Sequence, residues 1–352
     1  MPSRDIEIKT GCRIHCGLLE ICPGAKKCFG GVGFALESPS FHLLFVDPVA
    51  SGDLSSVEIV ASPQIGNRIR AVLTQMHAEQ KLEVVPRCIE VRGAIPLHTG
   101  LGAGTQLACA VAAAIELLQP QYANASLDQD FRWASVSSFL KLHHRDVESW
   151  LTKKSGRGLR SAIGLRSFLQ GGMIVDDGYS RDFSDASVRQ INTQVLELPA
   201  NWRAVRLTSI SSEVVAGEDE ASRIHVAGQK PNPKLQHMES CLELMIDASH
   251  GQGDFDAFTN ALDDYMYCSA ELFSAQQGGL YNGQDIEATV EAAKTAGLRA
   301  VGQSSWGPTV FGFAESDNEA QRIAKAVEGT PSLSGRPEVL SLDFSGAKFR
   351  FQ

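Results

Sequence analysis

Residues 96–118 read PLHTGLGAGTQLACAVAAAIELL, a glycine-rich turn followed by an apolar stretch with no helix breaker before Pro120. The turn carries Gly100, Gly102 and Gly104, which let the backbone approach a ligand closely. The first N–H groups of a helix have no partner within that helix. A helix beginning here would therefore direct these donors, and the positive end of its dipole, toward an anion such as phosphate. An ordinary strand–turn–helix connection is the alternative on these residues alone.

The composition of the 352-residue chain is typical of a globular protein long enough for two domains, with 43% hydrophobic and 21% charged residues. The net charge of −9 argues against nucleic acid or an anionic membrane as a partner. An anionic substrate would need a local cluster of arginine, lysine and backbone N–H groups. With neither a signal-like segment nor an apolar run of membrane-spanning length, we expect a cytoplasmic protein.

The eight cysteines are expected to be reduced thiols in such a chain. Four of them, Cys12, Cys16, Cys22 and Cys28, lie close together in sequence, but their spacing matches no zinc finger or zinc ribbon. Core packing is the expected role of these four residues, and a metal site is the alternative.

The pattern of apolar residues divides the chain into a domain at residues 1–190 and a second at residues 195–352, joined by a polar crossover at 177–194. Strands and turns dominate the first 95 residues, apart from a helix at 65–80. Helical periodicity returns at 130–153. The second domain alternates strands with helices, which predicts an α+β sheet with helices on one face.

Two further segments concentrate positive charge. Arg13 and His15 are two residues apart on a predicted strand, so they share one face and suit a carboxylate or phosphate. Residues 156–166 place Arg157, Arg160 and Arg166 in a glycine-rich loop, and guanidinium groups bind phosphate and carboxylate oxygens bidentately. The alternatives are a solvent-facing strand edge and a solvated surface loop.

The segment GQSSWGPTV at 302–310 places Trp306 among small hydrogen-bonding residues. This arrangement suits a flat aromatic ligand better than an aliphatic alcohol. Packing of the indole within a tight turn is the alternative interpretation.

Residues 96–106 resemble the phosphate loop P-x-x-x-G-L-G-S-S-A-A of the kinase superfamily named for galactokinase, homoserine kinase, mevalonate kinase and phosphomevalonate kinase (the GHMP superfamily). Ala103 and Gly104 replace its serine pair, one of which helps to hold the magnesium of the nucleotide. Gly164 stands where the kinases carry their catalytic aspartate. The resemblance implies the α+β two-domain superfamily fold, with a ribosomal-S5-domain-2-like α/β domain and a ferredoxin-like α+β domain. The replaced serines and aspartate argue against kinase chemistry.

Across nearly the whole chain the sequence resembles the family of β-ribofuranosylaminobenzene 5′-phosphate synthases, which are non-kinase members of this superfamily. The motifs that carry the resemblance are RIHCGLL at 13–19, FGGVGFAL at 29–36, GLGAGTQ at 100–106, GRGLRSAIG at 156–164, QQGG at 276–279 and GQSSWGPTV at 302–310. The family condenses 5-phosphoribosyl 1-diphosphate with 4-aminobenzoate, or with 4-hydroxybenzoate in some members. It releases CO₂ and diphosphate with Mg²⁺ and without ATP hydrolysis, in tetrahydromethanopterin biosynthesis. A homodimer is also implied.

The resemblance implies a role for each motif residue. The expected catalytic residues are Arg13, His15, Arg157 and Arg160. The expected phosphate- and substrate-binding residues are Gly100, Gly102, Gly104, Thr105, Gln106, Ser161, Gln303, Ser304, Ser305 and Trp306. No magnesium ligand is assigned, although four acidic residues lie near the motifs: Asp146, Glu148, Asp176 and Asp177. No nucleophile is needed, because orienting two reactants can supply roughly 7–11 kcal/mol of the barrier.

Two other functions remain open at this point. One is an ATP-dependent small-molecule kinase in which Thr105 takes the place of the missing serine. The other is a non-catalytic regulator that binds a nucleotide or sugar phosphate. The kinase would form ADP, the regulator would bind without turnover, and the synthase would release CO₂ without ATP.

Overall fold

The computed structural model describes residues 5–22, 25, 27–122, 132–158, 160–179, 193–210, 215 and 217–352. Most of the predicted crossover, residues 180–192, therefore lies outside the described residues. The strands are β1 Ile6–Leu18, β2 Gly31–Val49, β3 Glu58–Val60, β4 Val85–Gly93, β5 Ala134–Ser135, β6 Met173–Asp176, β7 Thr193–Leu196, β8 Arg203–Thr208, β9 Arg299–Gln303, β10 Thr309–Ala314, β11 Glu338–Ser341 and β12 Lys348–Phe351. The helices are α1 Pro63–Glu79, α2 Ala103–Leu117, α3 Val136–His143, α4 Val147–Ser155, α5 Ile163–Leu169, α6 Glu218–Ala227, α7 Leu235–Ser249, α8 Phe255–Glu271, α9 Ser274–Gln277, α10 Gln284–Thr295 and α11 Asp317–Val327.

The first sheet is built on the long antiparallel pair of β1 and β2, and its strand order is β3-β4-β2-β1-β12-β5. Strand β6 also pairs with β2, and β7 pairs with β6. A register shift between His15 and Gly17 bends the end of β1. This bend lies beside the predicted Arg13–His15 pair, at the end of the strand that faces the glycine-rich turn.

Helix α2 is the centre of the first domain. All but two of its fifteen residues are buried, as the unbroken apolar sequence after the glycine turn predicts. A helix that is apolar on every side must be surrounded by other elements. Helices α1, α4 and α5 and strand β1 contact α2 and provide this cover. The N-terminus of α2 is thereby held in place beneath β1.

The second sheet has the antiparallel order β11-β8-β10-β9. Numbered along the chain this is order 4-1-3-2, the order of a ferredoxin-like sheet, so the predicted fold class is confirmed. Helices α10 and α11 cover one face and share an apolar core with it, in which Val205, Val290 and Ile323 are fully buried. Helix α8 contacts both β9 and β1 and so joins the two sheets.

The structure differs from the sequence-based prediction in three places. The predicted helix at 130–153 is two helices, α3 and α4. The strand segments predicted around residues 29–36 and 41–46 are one strand, β2. The last strand, β12, was not predicted, and it returns to pair with β1 in the first sheet. Because β7 and β12 both belong to the first sheet, the sheets do not follow the division predicted between residues 190 and 195.

All eight cysteines are free, and seven of them are buried. Cys12, Cys16, Cys22 and Cys28 are among the buried ones, in keeping with core packing. Within the ranges given above, no helix combines the length and apolar character that crossing a membrane requires.

The glycine turn before α2 interlocks with the turn that connects β9 to β10. A Cβ added at Gly100 would lie 2.1 Å from the carbonyl oxygen of Ser304. A Cβ added at Gly307 would lie 2.2 Å from the carbonyl carbon of Thr99. Neither distance is possible for real atoms, so both glycines are needed for the two backbones to approach.

We expect Gly307→Ala to destabilise the protein by about 2 kcal/mol, because overpacking against a backbone that cannot move aside costs on this order. Gly279→Ala is the matched control, since its added Cβ would meet no atom within 4 Å. Urea denaturation measures both variants. Equal midpoints for the two variants would contradict the interlock.

Candidate functional site

A cavity of about 400 Å³ lies where the two sheets meet. One wall comes from the first domain: the end of β1, the start of α2 and the loop before α5. The other wall comes from α6, α8, α10, β9 and the β9–β10 turn. All four residues predicted to be catalytic, Arg13, His15, Arg157 and Arg160, line this cavity.

The N-terminus of α2 presents free donors. Gly102 precedes the helix in the left-handed conformation, with φ 75°, and no side chain caps the helix. The N–H groups of Thr105 and Gln106 donate to the carbonyl of Gly102. Those of Ala103 and Gly104 have no acceptor among the described residues. This is the arrangement that binds anions at helix N-termini.

Arg13 braces the glycine turn from β1. Its Nη1 donates to the carbonyl oxygen of Gly100 at 2.5 Å, and its backbone N–H donates to that of Leu101 at 3.1 Å. A Cβ at Gly102 would lie 2.8 Å from Cγ of Arg13, so this glycine is needed for packing against the arginine as well as for its φ. The Nε of Arg13 is buried without a partner in the described part of the chain, which leaves one donor for a ligand.

His15 is a neutral hydrogen-bond donor. Burial and, to a smaller extent, the neighbouring charge of Arg13 together lower its pKa from 6.5 to about 3. Its Nδ1 accepts a hydrogen bond from the N–H of Gly17 at 3.2 Å. The neutral ring therefore carries its proton on Nε2. It can donate a hydrogen bond to a substrate oxygen but adds no charge.

Arg157 is a cation on the cavity wall. Its side chain has no hydrogen bond or ion pair with the described residues, although it is half-buried. A Cβ at Gly104 would lie 3.2 Å from Nη1 of Arg68 and 3.6 Å from Nη2 of Arg157, so both guanidinium groups reach the start of α2. Burial lowers the pKa of Arg157, and repulsion from Arg68 and Arg160 adds to this. Two such cations beside free N–H groups form a site for an anion.

The other loop arginines have carboxylate partners. Arg160 donates to Glu220 at 2.9 Å, and both residues line the cavity. Arg166 pairs with Glu148 at 2.6 Å and is not part of the cavity wall.

Half of the predicted binding residues lie on the cavity wall, namely Thr105, Ser161, Gln303, Ser305 and Trp306. The other five are not among the lining residues, namely Gly100, Gly102, Gly104, Gln106 and Ser304. The amide of Gln106 is held inside the fold, where it accepts from Thr10 at 2.7 Å and donates to Gly164 at 2.9 Å. Gln303 lines the cavity, but its side chain bonds to the backbone of Asn282 and Gly307.

Ser304, from the β9–β10 turn, forms hydrogen bonds to two residues of the first domain. Its hydroxyl accepts from the backbone N–H of His15 at 3.0 Å and donates to the carbonyl of Gly100 at 2.8 Å. The side chain is completely buried.

Aromatic side chains characterise the wall from the second domain. Trp306 packs edge-to-face on Phe273 with centroids 5.2 Å apart, and the guanidinium of Arg223 lies 5.3 Å from its ring. Tyr267 and Tyr281 line the same wall. Trp306 is 7% exposed, so packing accounts for most of the indole, while the surface it leaves open belongs to the cavity.

The four acidic residues near the motifs have structural partners and do not line the cavity. Asp146 caps α4, and Glu148 pairs with Arg166. Asp177 pairs with Lys27 at 3.3 Å. Asp176 accepts from the N–H groups of Ala162 and Gly178, and its burial raises its pKa to about 6. The carboxylates that do line the cavity are Glu220 and Asp263.

Three residues in or beside the cavity were missed by sequence reasoning. Arg68 lies on α1, far from every motif, and only the fold brings it to α2. Asp263 and Lys294, with 3.8 Å between Oδ1 and Nζ, lie on α8 and α10 within ordinary amphipathic patterns. Helical periodicity marks such residues as surface, so the sequence contained no signal that they face a cavity.

We expect inorganic pyrophosphate to raise the melting temperature of the protein and Arg157→Ala to abolish that shift. The variant without ligand should melt at the same or a higher temperature, because it loses the repulsion from Arg68. Arg70→Ala, an exposed arginine on the same helix as Arg68, is the matched control. A retained shift in Arg157→Ala would place the anion elsewhere.

We also expect His15 to make stability depend on pH in a defined direction. Its folded pKa of about 3 lies below the ordinary value of 6.5, so the unfolded chain binds more protons between these values. The stabilisation is complete above pH 6.5 and is lost progressively as the pH falls toward 3. Denaturation of wild type and His15→Gln at several pH values measures this. Identical slopes in the two proteins would show that His15 does not contribute.

Comparison with known proteins agrees with this geometry. Residues 256–331 match the family described as GHMP kinases C terminal. The chain is 24% identical over 343 residues to the β-ribofuranosylphenol 5′-phosphate synthase of Methanothermobacter thermautotrophicus, with 92% of each chain covered.

Solved structures of kinases share the fold. Homoserine kinase from Cytophaga hutchinsonii superimposes with a TM-score of 0.59 at 16% identity, covering 98% of this chain and 97% of its own. L. major mevalonate kinase gives a TM-score of 0.61 at 11% identity, with 98% and 97% covered. The predicted resemblance is thereby confirmed: the chain has the GHMP-kinase fold and is similar over most of its length to a β-ribofuranosylphenol 5′-phosphate synthase.

Proposed function

We propose that this protein is a decarboxylating ribofuranosyl phosphate synthase. In this reaction 5-phosphoribosyl 1-diphosphate condenses with 4-hydroxybenzoate or 4-aminobenzoate. The observation that carries the proposal is the pair of cations, Arg68 and Arg157, beside the uncapped N-terminus of α2. Arg157 and Thr105 of this region line a cavity whose other wall carries aromatic side chains. A substrate with phosphate groups and a partner with a flat ring match these two walls.

The cationic wall suits the diphosphate of the sugar. Its free donors are the N–H groups of Ala103 and Gly104, the guanidinium groups of Arg68 and Arg157, and Nε of Arg13. When the bond to the anomeric carbon breaks, negative charge grows on the leaving diphosphate. Donors already fixed around that position stabilise the charge without reorganising.

The opposite wall suits the aromatic acid. Tyr267, Tyr281 and Trp306 offer ring surfaces, and Lys294 offers a positive charge. The neutral His15 supplies a hydrogen-bond donor between the two walls. Holding the ring carbon against the anomeric carbon is the main task of the site, because a correctly oriented pair of reactants needs no covalent catalyst.

The proposed reaction forms one carbon–carbon bond and breaks two bonds. A C–C bond forms between the anomeric carbon and the ring carbon that carries the carboxylate. The C–O bond to diphosphate and the C–C bond to the carboxylate break, and the electron pair of the latter restores the aromatic ring as CO₂ leaves. With 4-hydroxybenzoate the product is a phenol, which is the product in the name of the archaeal relative. With 4-aminobenzoate the product is an aniline.

Magnesium is part of the proposal, and the donor set of the cavity fits it. Mg²⁺ prefers oxygen ligands and usually binds through one or two carboxylates together with substrate phosphates. Glu220 and Asp263 are the described carboxylates on the wall. Glu220 is near enough to act electrostatically on Arg13, so it would hold the ion on the diphosphate side. The ion would neutralise part of the diphosphate charge.

The kinase alternative is disfavoured by the position of Gly164. A Cβ at this residue would lie 3.1 Å from Cγ2 of Thr105, so an aspartate here would press α5 against α2. The helices are packed closely where a kinase needs room for a carboxylate. Thr105 lines the cavity, but nothing beside it replaces the missing catalytic acid.

We expect carboxyl-labelled 4-hydroxybenzoate, with 5-phosphoribosyl 1-diphosphate and Mg²⁺, to release labelled CO₂ without ATP. Arg157→Ala should reduce kcat/KM by roughly tenfold to a hundredfold, the equivalent of one charge-assisted hydrogen bond. Arg157→Lys should recover little, because it lacks the planar fork. The exposed Arg70→Ala variant should match wild type.

The same assay separates the alternatives. ADP formation with homoserine, mevalonate or a sugar would favour the kinase, and binding of the sugar diphosphate without CO₂ release would favour the regulator. Parallel reactions with 4-aminobenzoate decide the preferred acid.

The proposal includes a cytoplasmic homodimer, in keeping with eight free thiols and with the family resemblance. Light scattering measures the oligomeric state.

A further inference from the structure

A second cluster of reactive side chains lies on the outer side of the α7–α8 helix pair. His237 and Cys241 are one turn apart on α7, and Asp264 lies on α8. One ligand atom from each of these three residues lies within 4.8 Å of the other two. Cys268 follows Asp264 by one turn and lines the same surface depression as His237 and Asp264.

We propose that His237, Cys241, Asp264 and Cys268 bind one zinc-type divalent metal ion. Imidazole nitrogen, thiolate sulfur and carboxylate oxygen are the ligands that Zn²⁺ takes, and four of them make a closed structural site. The spacing of four residues on each helix directs both side chains of a pair to the same seam. None of these residues belongs to the cavity described above.

The distances among His237, Cys241 and Asp264 need only small adjustments, whereas Cys268 lies outside this 4.8 Å group and would have to move toward it. The Nε2 of His237 lies 3.8 Å from Sγ of Cys241. A tetrahedral zinc ion with ordinary bond lengths separates such a pair by about 3.6 Å. A weak thiol–imidazole hydrogen bond would account for this pair alone, but not for the carboxylate of Asp264 within the same radius. His237 and Asp264 are exposed, so they can move inward toward the two buried sulfur atoms.

Cys241 and Cys268 belong to the apolar core between the helices, but packing of the two helices does not require His237 or Asp264. Fully buried apolar residues, including Met238, Met245 and Leu262, already fill the interface on its inner side. Lys234 and Glu271 form an ion pair that further joins α7 and α8. Imidazole, thiol and carboxylate groups therefore meet at the edge of a helix pair that apolar packing and an ion pair already hold together.

A metal ion bound at this site would also affect the cavity. Tyr267 of α8 lines both the outer depression and the cavity wall. A metal that clamps α7 to α8 would fix the helix that carries this tyrosine.

Titration of chelator-treated full-length protein with Co²⁺ and then Zn²⁺ tests the proposal. We expect one Co²⁺ per chain with thiolate-to-metal charge-transfer absorption, displacement by one Zn²⁺, and a higher melting temperature. His237→Gln and Asp264→Asn should each weaken binding by more than about a hundredfold, since even outer-shell changes cost up to that much. Cys268→Ser should remove part of the charge-transfer band.

Two matched controls lie outside the cluster. Cys88→Ser changes a half-exposed thiol on β4, and His250→Gln changes the residue that follows α7. Both should bind the metal as wild type does. A cysteine variant such as Cys241→Ser can fail to fold because the side chain is buried. The His237→Gln and Asp264→Asn variants still test the proposal, since both residues are exposed. Sub-stoichiometric binding, a cobalt spectrum without thiolate absorption, or unchanged affinity in His237→Gln and Asp264→Asn would overturn the proposal.

Discussion

The carbonyl oxygen of Gly100 is the point on which the architecture of the cavity depends. It accepts hydrogen bonds from Nη1 of Arg13 and from the hydroxyl of Ser304, and so joins β1, the glycine turn and the β9–β10 turn. Ser304 in turn holds the backbone of His15. An unpaired buried carbonyl is costly, so these bonds fix the turn as well as satisfy it. Both walls of the cavity are therefore set by one cluster of hydrogen bonds between distant parts of the chain.

Electrostatics explain why the arginines lie where they do. In a chain of net charge −9 most cations find carboxylate partners, as Arg160 and Arg166 do. Arg157 instead lies half-buried beside Arg68, where burial and repulsion both lower its pKa. The anion proposed above would offset this repulsion. An uncompensated cluster of this kind is a stronger sign of function than the number of arginines in a loop.

The sequence predicted the parts of the site that follow from local rules. Period-two alternation placed Arg13 and His15 on one face of β1, and the glycine turn predicted the uncapped start of α2. The protonation state of His15 was not predictable, because it depends on burial and on the proximity of Arg13. Arg68, Asp263 and Lys294 were missed for a different reason. They lie on amphipathic helices whose polar faces look solvent-exposed in sequence. Only the fold brings Arg68 to the start of α2 and Asp263 and Lys294 to the cavity wall.

One fold can serve different chemistry because its backbone and its side chains contribute different parts of the site. The anion site at the start of α2 is made of backbone N–H groups, so it survives the change of the kinase serines to Ala103 and Gly104. Side-chain chemistry does not survive in this way, because Gly164 carries no carboxylate and a Cβ there would crowd the Thr105 side chain at 3.1 Å. What remains is a cavity with Arg13 and Arg157 on one wall and aromatic side chains on the other. A reaction that depends on orientation and on stabilising a phosphate leaving group needs these two features, whereas phosphoryl transfer to an alcohol needs the carboxylate that this chain lacks.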